Sequence, residues 1–365
     1  MRVVIGHDFM EAYGGAERIV AEMARIFPEA PVYAIAGRDS VARRMGVEDR
    51  FTSLLKPRRL LLKHYRLLTP AFPTIVDRLD LPEADVLLTS SYAFAHRLRT
   101  ENRSPQVCYC YNPLRFAWSM KDHYRGTWAR GGLSARAFDV LAAGMRRSDR
   151  RASERVARYV TLSEYAAQQV RASYGREAEV IGPPVDTNLF RPSADKPDDY
   201  FLFCGRLIEP YKRPGIVVEA FRRMPDRRLV MAGDGPALDH LRAVAPDNVE
   251  FVGELGDQEL VHAMQHCRAT IFPSRDDFGL IPVEVAACGR PTLAFAGGGA
   301  LETVVPGVTG EFMPEQTMEA VLDAVRAFDD AAYDRVAVRR HSERWSVDRF
   351  RERITRVVAE TAALS

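Results

Sequence analysis

Residues 270–287 read Thr270-Ile-Phe-Pro-Ser-Arg-Asp-Asp-Phe-Gly-Leu-Ile-Pro-Val-Glu-Val-Ala-Ala287. The apolar start predicts a buried strand, Phe278-Gly279 predicts a turn, and Pro282 suits the first turn of a helix. Strands of this kind recur through the second half of the chain and alternate with amphipathic helices. They are expected at Tyr200–Cys204, Arg228–Ala232, Val249–Val252, Thr270–Pro273 and Thr292–Phe295. This alternation predicts an α/β fold with a parallel, doubly wound sheet.

The first half shows the same rhythm less regularly. Val3–Gly6 predicts a buried strand, residues 7–13 a loop, and Gly14-Gly15 the start of a helix. With 365 residues the chain is too long for one compact core and suits two α/β domains. Residues 183–199 are rich in Pro, Asp and Asn and predict the interdomain linker. The predicted domains are therefore 1–185 and 186–345, and the amphipathic helix within 346–365 is expected to pack back on the first domain.

Composition indicates a soluble globular protein, because 47% of residues are hydrophobic and 27% are charged. The net charge of +2 gives no general case for nucleic-acid binding. The positive charge is uneven, however. One cluster comprises Arg146, Arg147, Arg150, Arg151, Arg155 and Arg158. A solvated surface and a functional surface both explain that cluster.

A second basic segment, residues 56–66, contains Lys56, Arg58, Arg59, Lys63 and Arg66 among leucines and contains no acid. It fits either a core helix with a basic face or a contact with the anionic cytoplasmic leaflet of a membrane. We therefore expect a cytoplasmic protein, with peripheral attachment at the inner face of the membrane as the functional alternative.

The five cysteines predict buried thiols in a reducing compartment rather than a metal site. Cys108 and Cys110 are spaced as Cys-x-Cys on an apolar strand, but no Cys or His cluster follows them. The opening residues predict a short strand rather than a signal peptide, and no apolar run reaches the length of a membrane span. Neither a metal nor a bound cofactor is expected.

Two cations and two acids mark a candidate anion and sugar site in the second half. Arg206 directly follows the strand ending at Cys204, and Lys212 lies near the start of the next helix. Ligands of doubly wound sheets bind at the carboxyl ends of strands, so these cations suit a diphosphate clamp. Asp276 follows another strand and suits sugar hydroxyls. Glu284 falls in an otherwise apolar helix start, where ribose hydroxyls would satisfy a buried carboxylate.

The alternative to a binding site is that Arg206 and Lys212 are ordinary surface cations and that Asp276 lies in a solvated turn. Gly297-Gly298-Gly299 precedes another helix start and predicts either an anion cradle or a flexible turn. Gly233-Asp234-Gly235 is not a dinucleotide fingerprint, because Leu238 stands where the third glycine would be.

In the first half, His7-Asp8 and Gly14-Gly15 fall in the predicted loop after the first strand. A Gly-Gly turn allows the backbone to approach a ligand closely. His7 or Asp8 is a candidate acid, base or acceptor-binding group, and a structural role for either is equally open.

These residues resemble glycosyltransferase family 4, whose members have the GT-B fold and retain the anomeric configuration. The matching motifs include Gly14-Gly15-Ala-Glu17, Gly205-Arg206-Leu, Phe278-Gly279-Leu-Ile-Pro-Val-Glu284 and Gly298-Gly299-Ala-Leu-Glu302. The phrase Tyr109–Trp118 resembles mannosyltransferases of O-antigen and exopolysaccharide assembly. The resemblance implies two Rossmann-like domains facing a deep cleft, with the C-terminal helix crossing back to the first domain.

The resemblance also implies roles for individual residues. The implied reaction transfers mannose from GDP-mannose, without metal, to a carbohydrate or lipid-linked saccharide. Arg206 and Lys212 would bind the donor diphosphate, Asp276 the donor sugar and Glu284 the ribose. The implied catalytic residues are Arg206, Lys212 and Asp276; the implied donor-binding residues are Gly14, Gly15, Arg206, Lys212, Gly233, Asp276, Phe278, Gly279, Leu280 and Glu284; the implied acceptor-binding residues are His7, Asp8, Tyr111, Asn112 and Arg115.

Three positions depart from the family pattern. Asp276 stands where the family usually has Glu, Tyr111 stands where close relatives have His, and the spacing from Arg206 to Lys212 is one residue longer. The alternatives are a different nucleotide-sugar donor, a sugar-nucleotide epimerase, and a non-catalytic binding subunit. An epimerase would need acid and base groups around the sugar, and the second half offers too few His or Glu candidates, which counts against that alternative.

Overall fold

The computed structural model of the protein describes residues 1–55, 69–128 and 131–364. Contacts within the chain divide it into two compact units. The first unit comprises residues 1–182 together with 350–365, and the second comprises residues 183–349. The basic segment 56–66 lies wholly within residues 56–68, outside the described residues.

The first unit is built on a seven-stranded sheet in the order β3-β2-β1-β5-β7-β8-β9, in which every pairing is parallel. Its strands are β1 (Val3–Met10), β2 (Val32–Gly37), β3 (Phe51–Leu55), β5 (Val86–Ser91), β7 (Gln106–Cys110), β8 (Arg158–Thr161) and β9 (Ala178–Val180). In a separate two-stranded sheet, β4 (Asp80–Leu81) pairs with β6 (Arg99–Thr100). Its helices are α1 (Gly15–Ile26), α2 (Asp39–Met45), α3 (Phe72–Val76), α4 (Lys121–Trp128), α5 (Gly132–Ser153) and α6 (Glu164–Tyr174). The central strands β5 and β7 are buried along their whole length, as is usual for parallel sheets covered on both faces.

Strand β1 is longer than the sequence predicts, so the expected loop over residues 7–13 is wrong for its first four residues. The pairing of β1 with β2 continues to Met10 opposite Gly37. His7 and Asp8 therefore lie inside a central strand, and both are fully buried. Polar residues normally predict a loop there, but the Asp8 carboxylate and the His7 Nδ1 are hydrogen-bonded to groups more than 80 residues away along the chain.

The Asp8 carboxylate holds the segment that follows β5. Its two oxygens accept hydrogen bonds from four consecutive backbone N–H groups, those of Tyr92, Ala93, Phe94 and Ala95, at 2.6–2.7 Å. Because Asp8 is buried and its oxygens are engaged in this way, its role is structural. It is not available to bind an acceptor, contrary to the role that the resemblance implied.

The C-terminal helix α14 (Val347–Ala362) packs on the first unit from Phe350 onward. Phe350 is buried with its ring 6.1 Å from that of Tyr109, and Ile354, Val357 and Val358 are buried on the same side. Ion pairs join Arg351 to Glu22 at 2.8 Å and Glu360 to Arg158 at 2.5 Å. The predicted return of the chain to its first domain is thus part of the observed fold.

The second unit is built on a six-stranded parallel sheet in the order β12-β11-β10-β13-β14-β15. Its strands are β10 (Phe201–Cys204), β11 (Leu229–Ala232), β12 (Val249–Gly253), β13 (Thr270–Phe272), β14 (Thr292–Phe295) and β15 (Gly310–Met313). Its helices are α7 (Pro214–Arg222), α8 (Leu238–Val244), α9 (Asp257–His266), α10 (Leu280–Ala287), α11 (Ala300–Thr303), α12 (Met318–Ala327) and α13 (Arg335–Ser342). Both units are Rossmann-like, which confirms the predicted fold class.

The segment predicted as the linker is held against the second unit. The Arg339 guanidinium donates to the carbonyls of Thr187 and Phe190 at 2.9 and 3.1 Å, and the Val185 N–H donates to the Trp345 carbonyl at 2.8 Å. These bonds explain why residues 183–199 belong to the second unit and why the boundary between the two units lies after Gly182.

All five cysteines are buried with free thiols. In the part of the chain that the structure describes, no helix combines the length and the apolar character that a transmembrane span requires.

We predict that Asp8→Asn destabilises the first unit by about 2–4 kcal/mol, because an amide cannot accept hydrogen bonds at both of its ends. Urea unfolding followed by far-UV circular dichroism would measure the shift. Asp49→Asn, which changes an exposed acid of the same unit, is the matched control and should stay within about 0.5 kcal/mol of wild type. An Asp8 variant as stable as this control would contradict the structural role.

Candidate functional site

Lys212 and Asp276 form an ion pair at the carboxyl ends of two neighbouring strands. Lys212 lies between β10 and α7, Asp276 follows β13, and β10 pairs with β13 at Leu202 and Thr270. The Lys212 Nζ donates to Asp276 Oδ2, and the two side chains are 25% and 27% exposed. Nζ also lies 5.8 Å from the centre of the Phe272 ring. The structure thus brings together one predicted cation and one predicted acid, and leaves both open to a ligand.

Arg206 is exposed and follows the carboxyl end of the same strand, β10. Among the described residues its guanidinium has no ion-pair or hydrogen-bond partner. An unpaired guanidinium beside a lysine is suited to bind a diphosphate, since arginine donates two parallel hydrogen bonds to phosphate oxygens.

The backbone of the Arg206 loop is fixed by the loop that follows β11. The Gly205 N–H donates to the Ala232 carbonyl at 3.0 Å, and the Leu207 N–H donates to the Asp234 carbonyl at 2.9 Å. Gly233 has a φ of +138°, and a Cβ there would lie 2.0 Å from the Gly205 carbonyl oxygen. Gly233 therefore positions the Arg206 loop by close backbone contact, which gives this predicted donor-binding residue a packing role.

The Gly297–Gly299 run packs against the Asp276 loop. The Gly299 N–H donates to the Asp276 carbonyl at 2.8 Å, and a Cβ on Gly298 would lie 2.3 Å from that same oxygen. A Cβ on Gly299 would lie 2.3 Å from the Phe278 Cα. The helix after the run, α11, has only four residues. The glycines are thus explained by close packing, and neither the expected anion cradle nor a flexible turn describes them.

Glu284 is a buried carboxylate on α10, with a residue exposure of 3%. The helix begins after Gly279, whose φ of +87° favours glycine, and Pro282 lies in the first turn as predicted. Burial raises the pKa values of the Cys204 and Cys288 thiols, and the nearby Glu284 charge adds to both shifts. The Glu284 carboxylate therefore lies close to Cys204, the last residue of β10, which precedes the Arg206 loop.

Two further predicted donor residues flank this helix start. Phe278 is buried, with its ring 5.8 Å from that of Trp345, and Leu280 is half-buried. Phe278 thus anchors the loop to the core rather than presenting its ring to solvent.

In the first unit, His7 belongs to a buried polar network at the carboxyl ends of β1, β5 and β7. Its Nδ1 lies 3.0 Å from Ser90 Oγ, and the Tyr111 hydroxyl lies 3.0 Å from the same Oγ. Its Nε2 lies 3.6 Å from Glu17 Oε1, while Glu17 Oε2 accepts the Gly14 N–H at 2.9 Å. Burial raises the pKa of the Tyr111 hydroxyl, so it stays protonated and can donate. The network fixes the ring of His7 and links it to the start of α1.

Sequence reasoning quoted Glu17 only as part of a motif and missed Ser90. The signal available for Ser90 is its place at the end of the apolar run that forms β5. Asn112 is buried and Arg115 is exposed, directly after β7.

Gly14 and Gly15 place no side chains of their own at the start of α1. Gly14 is extended with a φ of −138°, so its backbone does not require glycine. A Cβ on Gly15 would meet no atom of the described residues within 4 Å. A Cβ on Gly14 would lie 3.3 Å from Glu17 Oε2, so close packing bears on Gly14. Packing does not account for Gly15, which is consistent with close approach of a ligand there.

In the described ranges, no group of three or more His, Cys, Asp or Glu side chains could hold a metal ion.

Two family models match the chain. The model described as "Glycosyltransferase Family 4" matches residues 13–189, and the model described as "Glycosyl transferases group 1" matches residues 185–340. The two matches meet near the boundary between the two compact units.

Curated relatives match only part of the chain. A D-inositol 3-phosphate glycosyltransferase of Mycolicibacterium gilvum is 33% identical over 50% of this chain and 47% of its own length. A GDP-mannose-dependent alpha-(1-6)-phosphatidylinositol monomannoside mannosyltransferase of Mycolicibacterium smegmatis is 29% identical over 45% of this chain and 50% of its own. The chain thus spans about half the length of the curated relatives it matches.

Solved structures share the fold over the whole chain at low identity. Sucrose-phosphate synthase of Thermosynechococcus elongatus has a TM-score of 0.74 and 16% identity, with 100% of both chains covered. Anabaena HepE in complex with UDP has a TM-score of 0.71 and 17% identity, covering 99% of this chain and 100% of that one. With two parallel Rossmann-like units, and with adjoining family matches that extend from residue 13 to residue 340, the chain belongs to the family 4 glycosyltransferases of the GT-B fold.

Proposed function

We propose that this chain is a retaining glycosyltransferase that transfers mannose from GDP-mannose to a carbohydrate or lipid-linked saccharide acceptor. The observation that carries the proposal is the Lys212–Asp276 pair beside the unpaired Arg206, at the carboxyl ends of β10 and β13. Family membership supports glycosyl transfer, and the name of the M. smegmatis relative supports GDP-mannose as donor.

The cations act on the leaving group. Transfer breaks the bond between the anomeric carbon and the diphosphate, so negative charge grows on the departing nucleoside diphosphate. Arg206 and Lys212 are positioned cations that stabilise this charge more in the transition state than in the ground state. A bound diphosphate competes with Asp276 for Lys212, which frees the Asp276 carboxylate to accept hydrogen bonds from the donor sugar.

The remaining groups divide between donor and acceptor. The Glu284 carboxylate accepts hydrogen bonds from the ribose, which compensates its burial. We assign the acceptor to the first unit, at His7, Tyr111, Asn112 and Arg115. In this assignment the Ser90 and Tyr111 hydroxyls orient His7 toward an acceptor hydroxyl.

A membrane-borne acceptor is part of the proposal. The basic segment 56–66 favours peripheral attachment to an anionic leaflet, and one relative's name specifies a phosphatidylinositol-based acceptor. The segment lies outside the described residues, so sequence alone supports this part of the proposal.

A sugar-nucleotide screen tests the function directly. We expect GDP-mannose to raise the melting temperature more than UDP-glucose does, because a ligand that binds the folded state adds RT ln(1 + [L]/Kd). GDP release should continue in excess EDTA, since Arg206 and Lys212 supply the charge that a metal would. A larger shift with a UDP-sugar would change the donor, a new sugar-nucleotide epimer would indicate an epimerase, and binding without release would indicate a non-catalytic subunit.

Removing either cation should slow the reaction. We predict that Arg206→Ala and Lys212→Ala each lower kcat by about a hundredfold or more, the size expected for one preorganised charge on a developing anion. Arg242→Ala, which removes an exposed arginine of α8 in the same unit, should leave kcat unchanged. Wild-type turnover in either clamp variant would show that the diphosphate lies elsewhere.

Glu284→Gln should weaken nucleotide binding more than it slows turnover. A ribose hydrogen bond is made in both the ground state and the transition state, so its loss raises KM or Kd and spares kcat. Calorimetric titration with GDP would give Kd, which we expect to rise about tenfold or more. Equal GDP affinity in the variant and wild type would refute the ribose assignment.

A further inference from the structure

The structure divides the arginine cluster of residues 146–158 into two sets. The Arg146 and Arg150 guanidiniums lie 5.8 and 5.6 Å from the Trp118 ring centre, and Arg158 pairs with Glu360. These three have evident packing or pairing roles. The side chains of the other three, Arg147, Arg151 and Arg155, face a cavity instead.

Arg147, Arg151 and Arg155 line one side of a cavity of about 360 Å³ that also includes the buried Arg97. Their four-residue spacing follows one face of α5 and continues just past its end. Gly144 lies on the same face and lines the same cavity. A side chain there would take up part of the space, and glycine inside a helix costs about 1 kcal/mol relative to alanine.

The charge of the cavity is strongly positive. Four arginines and one acid, Asp77, line it, for a net charge of +3. Asp77 bridges Arg97 at 2.7 Å and Arg155 at 3.0 Å. Although burial raises the pKa of Asp77, the hydrogen bonds and charges of these two arginines hold it below its ordinary value. One acid is thus shared between two cations.

The other two cations have no counterion in the described ranges. The guanidiniums of Arg147 and Arg151 have no ion-pair or hydrogen-bond partner there, and both side chains are exposed. Arg97 is only 4% exposed, and its Nε has no hydrogen-bond partner among the same residues. Its remaining donors reach Asp77, the Ser148 hydroxyl and the Ser148 carbonyl. Clustered cations repel one another unless an anion joins them.

The cavity lies away from the candidate acceptor residues of the first unit. Arg155 precedes the first residue of β8 by three positions, so this end of α5 is near the amino end of its strand. Tyr111 and Asn112 directly follow the carboxyl end of β7, and His7 lies within β1 opposite Ser90, the next-to-last residue of β5. None of these residues lines the cavity.

We propose that Arg97, Arg147, Arg151 and Arg155 form a second anion site, which binds a phosphate or diphosphate group. The planar guanidinium fork matches phosphate oxygens in pairs, and four such groups around one cavity suit a multiply charged anion. The same group occurs on soluble phosphorylated compounds and on lipid headgroups. The site does not depend on the proposed glycosyl transfer.

The test is calorimetric titration of the full chain with pyrophosphate at low ionic strength. We expect two sites in wild type. Arg147→Ser/Arg151→Ser should raise the Kd of one site at least about tenfold. Arg206→Ala/Lys212→Ala should remove the other site and leave this one. Loss of binding only in the first double variant would support the cavity and contradict the proposed donor clamp.

Arg43→Ser/Arg136→Ser is the matched control, because it removes two exposed arginines of the first unit, one of them on α5. It should bind pyrophosphate as wild type does. Equal loss in the control would show general electrostatic attraction and overturn the site.

A vesicle arm identifies the source of the anion. Co-sedimentation with phosphatidylglycerol vesicles is compared with pure phosphatidylcholine vesicles for the same variants. A loss specific to Arg147→Ser/Arg151→Ser on the anionic vesicles assigns a lipid headgroup, and a loss confined to pyrophosphate assigns a soluble compound. If this variant matches the control in both assays, the proposal is wrong.

Discussion

Close backbone packing between loops at the carboxyl edge of the second sheet is the constraint on which the candidate donor site depends. The loop after β11 contacts the Arg206 loop through Gly233, and the loop after β14 contacts the Asp276 loop through Gly298 and Gly299. Side chains at these positions would separate the loops. Arg206, Lys212 and Asp276 therefore owe their positions to glycines that carry no charge. These backbone contacts come from the chain itself, and preorganisation of this kind makes a cation effective on a developing anion.

Sequence periodicity predicted the second sheet well because its strands and helices alternate and each strand is a short apolar run. It predicted the site less completely. Arg206, Lys212 and Glu284 were selected as candidates because charge after a strand or within an apolar helix is locally unusual. Asp8 was placed in a loop because its four donors lie over 80 residues further along the chain. The glycine run was interpreted as an anion cradle because sequence does not show which backbone a glycine will contact.

Two adjacent buried polar residues of β1, His7 and Asp8, have different roles. In the first unit, the Asp8 carboxylate is saturated by backbone donors and can only stabilise the fold. One residue earlier, His7 is joined to hydroxyls and to Glu17, whose distance of 3.6 Å from Nε2 leaves room for rearrangement. Adjacent residues on one strand point to opposite faces of the sheet, so the same local sequence supplies one structural acid and one candidate reactive base.

The arginines of residues 146–158 show why composition alone could not separate a solvated surface from a binding surface. On a helix, positions four apart share a face, so Arg146 and Arg150 meet Trp118 while Arg147 and Arg151 face a different neighbour. Which face matters is decided by residues far away in sequence. Arg97 lies in the connection between β5 and β6, and Asp77 lies at the end of α3. Together they turn a row of arginines into the lining of a positively charged cavity. Charge counted along the chain is the same for both faces, and only the tertiary partners distinguish them.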